Sequence, residues 1–416
     1  MNKNKGNVLA IGIMFFLFAM ISFVTGLQNP MGIIAKAQFG ATNLMSQLGN
    51  AANFIAYAFL GLPAGFLLKG KGYKFTALTA VAIGFVGVGI SFLSGILGSF
   101  VVYLLGAFVS GFSMCMLNTV VNPLLNTLGG GGNKGNQLIQ LGGACNSLSA
   151  TIVPVFAGYL IGEVTEKTQV ADVNLALFIA MAIFALAFII ILCSYIPEPE
   201  LEAAAAEGET KKEGTMDSIK GALSHKNLVF GLFAIFLYVG IEVGVPNIAN
   251  LYMTSADGLG ILPDVAGTFV GAYWFLMLCG RLVGGAVGGK VSSRAMMTVV
   301  STAAIVFLLF AIFLPETLQM SFLGSQVPVA ILFFVLCGLC TSVMWGAIFN
   351  LAVEGLGKYT SIASGLFMVM VCGGGILPLV QGAVADAAGY INSYWVLIAA
   401  LAYILWFALS GSKTNK

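Results

Sequence analysis

Polar and apolar positions along the chain alternate on a coarse scale, with long apolar runs closed by short polar or glycine-rich breaks. A membrane crossing needs about 20 apolar residues. Reading the runs and their breakers places twelve spans at about 8–35, 44–68, 76–97, 99–128, 136–162, 172–195, 227–254, 264–289, 295–315, 326–350, 359–383 and 391–411. Unbroken runs of this length predict helices; a membrane barrel would show short alternating strands instead. The first run, Val8 to Val24, follows Lys3 and Lys5 as a secretory leader would. No small-residue cleavage site comes after it, only the polar group Gln28-Asn29-Pro30, so it is expected to be an uncleaved span.

One long polar stretch interrupts the pattern, Pro197 to Lys226, carrying Glu198, Glu200, Glu202, Glu207, Glu209, Lys211, Lys212, Glu213 and the single histidine, His225. It reads as a solvated linker, helical in part. The expected organisation is a six-helix bundle over 1–196, a linker over 197–226 and a second six-helix bundle over 227–416. Composition agrees: 59% of the 416 residues are hydrophobic and 8% are charged, against about 25% charged in soluble domains. The fold class expected is an all-α membrane protein with lipid as its main partner and solvent. Nothing in the charge pattern suggests nucleic-acid binding.

Basic residues set the expected orientation. With the N-terminus in the cytoplasm, the inner segments hold Lys3, Lys5, Lys69, Lys71, Lys74, Lys134, Lys211, Lys212, Lys220, Lys226, Lys290, Arg294, Lys358, Lys413 and Lys416. The outer loops hold Lys36 and Lys167, and Arg281 lies within the eighth span. This excess predicts both termini inside. The halves also echo one another: Gly65 to Lys74 follows the second span and Gly285 to Arg294 follows the eighth, each a glycine-bearing helix end with a tight basic loop. Lys69, Lys74, Arg281 and Arg294 are therefore candidates for gating or for anchoring these loops.

Polar groups inside a span are costly and should face a cavity or a partner. The inventory is short: Gln28 and Asn29 in the first span, Asn118 and Asn122 four apart in the fourth, and Asn146 in the fifth. Glu242, Asn247 and Asn250 follow Tyr238 in the seventh; Tyr273, Trp274 and Arg281 lie in the eighth, Trp345 and Asn350 in the tenth, Gln381 in the eleventh. Amides offer a donor and an acceptor each, and aromatic rings cover the apolar face of a sugar. Some of these amides are expected to tie helices together at about 0.6 kcal/mol each, and the rest to line a shared cavity. The first acid in the chain is Glu163, and of the sixteen acids only Glu242 lies deep in a span. It is the natural carrier if protons drive transport.

Other motifs carry less. Cys337 and Cys340 form a C-x-x-C inside a span, without histidine or further cysteine nearby, which reads as small-residue packing. Gly129 to Gly132 and Gly373 to Gly375 lack the strand context and the Gly-Lys-Ser/Thr of a phosphate loop, so the first reads as a loop and the second as close helix packing. No metal and no cofactor is expected.

At several of these positions the chain resembles the fucose permease family of the major facilitator superfamily, which includes glucose/galactose transporters. The resemblance runs nearly end to end. It rests on Leu60 to Gly65 with Gly72-Tyr73-Lys74, Asn118 to Pro123, Tyr238 to Glu242, Gly280-Arg281, Ile348 to Leu351, Gly355 to Lys358, and Gly373 to Asp386. It implies twelve transmembrane helices in two pseudo-symmetric bundles and import of neutral hexoses or deoxyhexoses, typically with a proton. The family's Asn-Asp in the first span is Gln28-Asn29 here, and its fourth-span glutamate is Asn118. Asn122 and Asn146 match the family, Trp345 stands where it often has tyrosine, and Glu242 resembles the glutamate of the glucose/galactose branch.

Together these readings predict a monomeric sugar permease of the bacterial inner membrane, working by alternating access. Its site would comprise Gln28, Asn29, Asn118, Asn122, Asn146, Glu242, Trp345 and Asn350, with Glu242 as the proton-coupling candidate. A uniporter, an exchanger or a carrier coupled to another cation is the nearest alternative, because amides replace the family's acids. A sugar sensor would want a soluble output domain larger than the 197–226 linker. An enzyme would want a catalytic cluster, which the inventory lacks.

Overall fold

The computed structural model describes residues 7–24, 43–161, 174–199, 201–202, 215–255, 258–261 and 263–413. Gln28 and Asn29 lie outside the described residues, as does 203–214 of the linker. The first half of the chain forms α1 (Asn7–Val24), α2 (Asn43–Leu97), α3 (Phe100–Leu128), α4 (Gly132–Ile161) and α5 (Asn174–Cys193). A short amphipathic helix, α6 (Thr215–Leu223), follows, and then α7 (Lys226–Thr254), α8 (Pro263–Val287) and α9 (Ser293–Phe313). The chain ends with a hairpin of β1 (Gln319–Phe322) and β2 (Ser325–Pro328) and with α10 (Ala330–Thr341), α11 (Met344–Val353), α12 (Thr360–Met370), α13 (Gly373–Ala388) and α14 (Tyr394–Trp406). Two spans share α2, which turns at Gly72, while α10 with α11 and α12 with α13 make one broken span each. Among the described residues the count is twelve.

At the start of the tenth span the structure forms strand where the sequence reading expected helix. The tenth span was expected from 326, but Ser325 to Pro328 pair with Gln319 to Phe322 in an antiparallel hairpin and the helix begins at Ala330. Leu323 (φ 47°) and Gly324 (φ 80°) make the two-residue turn, the left-handed pair that such hairpins use. Ser325 and Gln326 suit the open end of a ribbon better than a helix in lipid.

The described chain divides into two compact units. One comprises Met1–Leu128, Cys145–Ala222 and Leu356–Val369; the other comprises Gly129–Ala144, Leu223–Gly355 and Met370–Lys416. Each unit takes one segment from the opposite half of the sequence. In the first, α12 lies backbone to backbone on the first span of α2: a Cβ on Gly365 would meet Gly61 O at 2.6 Å and Gly65 Cα at 2.9 Å. Small residues four apart are what permit so close an approach. In the second unit, Gly373 opens α13 directly against the carbonyl of Phe236 in α7, the close packing expected of that glycine run. Gly130, Gly131 and Gly132 all have positive φ, so the other run is a turn that side chains would strain.

The two basic loops do matching work. Lys74 Nζ donates to Leu192 O (2.9 Å) and Ser194 O (2.8 Å), placing a cation on the unsatisfied carbonyls at the end of α5. Its backbone N–H and that of Tyr73 donate to Glu198 at 2.8 and 2.6 Å. Burial pushes the Glu198 carboxyl above its ordinary pKa, and these two amides with Lys74 pull it back. Arg294 reaches Ser412 Oγ at 3.4 Å, just past α14, the corresponding place in the second half. Lys69 donates instead to Ser218 in α6 at 2.6 Å. Gly72 has φ 81°, and a Cβ there would strike the Glu198 carboxylate. Gly72→Ala is therefore expected to cost about 2 kcal/mol and to lower the melting temperature of the purified protein. Gly70→Ala, with open space around it, should leave the melt unchanged; equal melts for the two variants would contradict this.

Candidate functional site

Proline shapes the polar chemistry of α7. Pro246 has no N–H, so the carbonyl of Glu242, four residues earlier, loses its helical partner. Tyr273 of α8 fills the gap, its Oη donating to Glu242 O at 3.1 Å and lying 3.1 Å from Thr341 Oγ1 of α10. The Glu242 side chain pairs with Arg281, Oε1 to Nη2 at 3.2 Å, with only 16% and 11% of the two side chains exposed. The Tyr238 hydroxyl, one turn before Glu242, lies within electrostatic range of both charges. Its ring packs edge-on against Trp345 at 6.3 Å between centroids. A carboxylate, a guanidinium, two phenols and an indole thus meet inside an apolar bundle. Burying the two charges is costly; the pairing and the added hydrogen bonds offset that cost.

Arg281 makes two further bonds, Nη1 to Gly143 O of α4 at 3.2 Å and Nε to Ser342 O at the α10–α11 break at 3.3 Å. The opening turns of α4 are tied to the same elements. Gln137 donates to Gly285 O at 2.9 Å, and Gln140 donates to Val343 O at 2.7 Å.

The first unit uses the same device. Pro123 frees the carbonyl of Thr119, which accepts from Ser364 Oγ of α12 at 3.0 Å. The residue before Thr119, Asn118, donates to the buried Tyr57 hydroxyl at 2.9 Å and to Met114 O at 3.2 Å. Asn122 is fully buried and donates to Asn118 O at 2.9 Å. Asn146 donates to Phe18 O of α1 at 2.9 Å.

Placed in the structure, the candidate residues fall into groups. Asn118, Asn122 and Asn146 belong to the first unit; Glu242, Trp345 and Arg281 come together in the second. Asn350 is apart from Glu242: it donates to Ser293 Oγ at 2.9 Å, and the residues just after it, Leu351 and Ala352, give their carbonyls to Asn227. Asn227 precedes Glu242 by fifteen residues on α7, about 22 Å of helix rise. Tyr57, Gln137, Gln140 and Ser364 escaped the sequence reading. The four-residue spacing of Asn136 and Gln140 resembles that of Asn118 and Asn122 and was a usable signal; Tyr57 and Ser364 offered none.

Long apolar helices joined by short connections define a polytopic membrane protein. The chain belongs to the Major Facilitator Superfamily, whose model matches residues 12–378. It is similar to the glucose/galactose transporter of Brucella abortus, 29% identical over 415 residues covering 99% of this chain and 96% of that one. It is 23% identical over 441 residues to the L-fucose-proton symporter of Escherichia coli K12, covering 100% and 96% of the two chains. The crystal structure of the E. coli fucose:proton symporter shares its fold, with a TM-score of 0.83 at 19% identity over 98% of this chain and 100% of that one. Its relatives are sugar transporters of this superfamily, not enzymes.

Proposed function

We propose that the protein imports a neutral monosaccharide, a hexose or deoxyhexose of the glucose, galactose or fucose kind, together with a proton. The observation that carries this reading is the buried Glu242 carboxylate, paired with Arg281, with Tyr238 and Tyr273 close by and Trp345 packed on the Tyr238 ring. Rings give stacking surfaces, amides and phenols give hydrogen bonds to hydroxyls, and one buried acid supplies a place for one proton. The named sugars of the relatives support the substrate class. Sugar contacts are assigned to Gln28, Asn29, Asn118, Asn122, Asn146, Glu242, Trp345 and Asn350, the last of which also donates to Ser293. The two six-helix halves, 1–196 and 227–416, would alternate access to the site. Both termini are assigned to the cytoplasmic side of a bacterial inner membrane, following the basic loops.

A uniporter or exchanger is the second reading, favoured by the amide at Asn118 in place of an acid. The test of substrate class is a thermal-shift panel of the purified protein against neutral hexoses, deoxyhexoses and amino sugars. A rise with one neutral sugar and none with amino sugars is expected. A panel in which no neutral sugar moves the melt, or only charged sugars do, would contradict the substrate assignment.

A further inference from the structure

We propose that Arg281 is a positioning residue that transmits the charge state of Glu242 to the start of α4, and so couples the proton to the opening of the carrier. The inference rests on the proton role assigned to Glu242. Its basis is how one guanidinium is shared. Nη2 holds Glu242 Oε1 of α7 at 3.2 Å, Nη1 holds Gly143 O of α4 at 3.2 Å, and Nε holds Ser342 O at the α10–α11 break at 3.3 Å. The planar fork of arginine makes all three at once, which a lysine cannot do. A Cβ on Gly143 would lie 3.4 Å from Arg281 Cδ, so the side chain runs close over that glycine.

Among the described residues, polar ties that hold this stretch of α4 to its neighbours include Gln137 to Gly285 O, Gln140 to Val343 O and Arg281 to Gly143 O. Neutral amides make the first two, which do not respond to a proton. The third is anchored by a carboxylate. Titratable or charged groups around Glu242 are Arg281 and Tyr273 of α8 and Tyr238 of α7, with Cys337 of α10 beside Tyr273. The proton moves from water to a Glu242 carboxylate oxygen, and no other bond is made. Protonation removes the negative charge, so Nη2 exchanges an ion pair for a weaker bond to a neutral oxygen. The guanidinium then swings away from Glu242, Gly143 O is released, and α4 is freed to part from α8.

Hydrogen exchange across residues 137–147, followed by mass spectrometry on the whole protein, reads this tie directly. In the wild type, exchange corrected for its intrinsic pH dependence should quicken as pH falls. Glu242→Gln should be roughly tenfold faster than the wild type at neutral pH, the weakening of one buried ion pair to a neutral-acceptor bond, and flat with pH. Arg281→Gln should match it, and Arg281→Lys should fall between. Because removing one member of a buried pair can unfold a protein, the double variant Glu242→Gln with Arg281→Gln serves as the uncharged comparison and should also be fast and flat. In proteoliposomes, Arg281→Gln should lose sugar accumulation on a proton gradient. Wild-type exchange rates in Glu242→Gln, or wild-type accumulation in Arg281→Gln, would overturn the transmitting role alone. A wild type that accumulates no sugar on a proton gradient would remove the proton role and this proposal with it.

Discussion

Glu242→Gln is expected to abolish uphill sugar accumulation while leaving a reduced sugar exchange. Glutamine keeps the shape of the side chain and leaves Arg281 Nη2, 3.2 Å from the carboxylate in the wild type, a neutral and weaker acceptor, so the bundle should still assemble. It cannot take up a proton. At one proton per sugar, a gradient of one pH unit supports about tenfold accumulation. The wild type should approach that ratio, and Glu242→Gln should equilibrate sugar at a ratio near one. Counterflow of labelled sugar against unlabelled sugar measures what remains of binding and reorientation. Tenfold accumulation by the variant would take the proton role away from Glu242.

Gly365→Val carries the largest expected effect on folding. The first atom of any side chain at 365 would lie 2.6 Å from Gly61 O and 2.9 Å from Gly65 Cα, both backbone atoms that cannot rotate aside. Gly61 is equally constrained, since a Cβ there would meet Val369 N at 2.6 Å. Overpacking a core usually costs about 1–3 kcal/mol, and a clash between two helix backbones should lie at or above the upper end. Separating α12 from α2 would also strand Thr119 O, whose partner is Ser364. The variant is expected to show a sharply lowered melting temperature or to fail to accumulate in the membrane. Gly382→Ala on α13, where a Cβ would meet open space, is the control. A Gly365→Val protein that melts with the wild type would show that the two backbones are not in contact.

The fold was legible because lipid leaves a sequence few choices. Apolar runs long enough to cross must be helices, and their breakers marked all twelve. The echo between Gly65–Lys74 and Gly285–Arg294 has a counterpart in the structure. Each loop sends a basic side chain to the end of the last span of its half, Lys74 to α5 and Arg294 to Ser412. The start of the tenth span was not legible, since Val327, Val329 and Ala330 are apolar whether they sit in a ribbon or a helix.

For the polar interior, charge was the readable signal. Glu242 stood out because no other acid lies so deep, and its partner was the one basic residue within a span. Ties to carbonyls were hidden. A carbonyl belongs to every residue, so nothing in the sequence says that Ser364 will reach Thr119, Gln140 will reach Val343, or Asn146 will reach Phe18. Prolines were the clue left unread: Pro123 and Pro246 each announce a freed carbonyl four residues earlier. The hydroxyls that answer them, from Ser364 and Tyr273, come from other helices.

Proteoliposomes holding the purified wild type, given an inward proton gradient and labelled glucose, galactose or L-fucose, probe the transport reading most directly. One of these sugars should rise inside above its outside concentration, and collapsing the gradient with an uncoupler should return it to equality. Entry of every sugar only to equal concentrations, with the gradient intact, would contradict proton-coupled import.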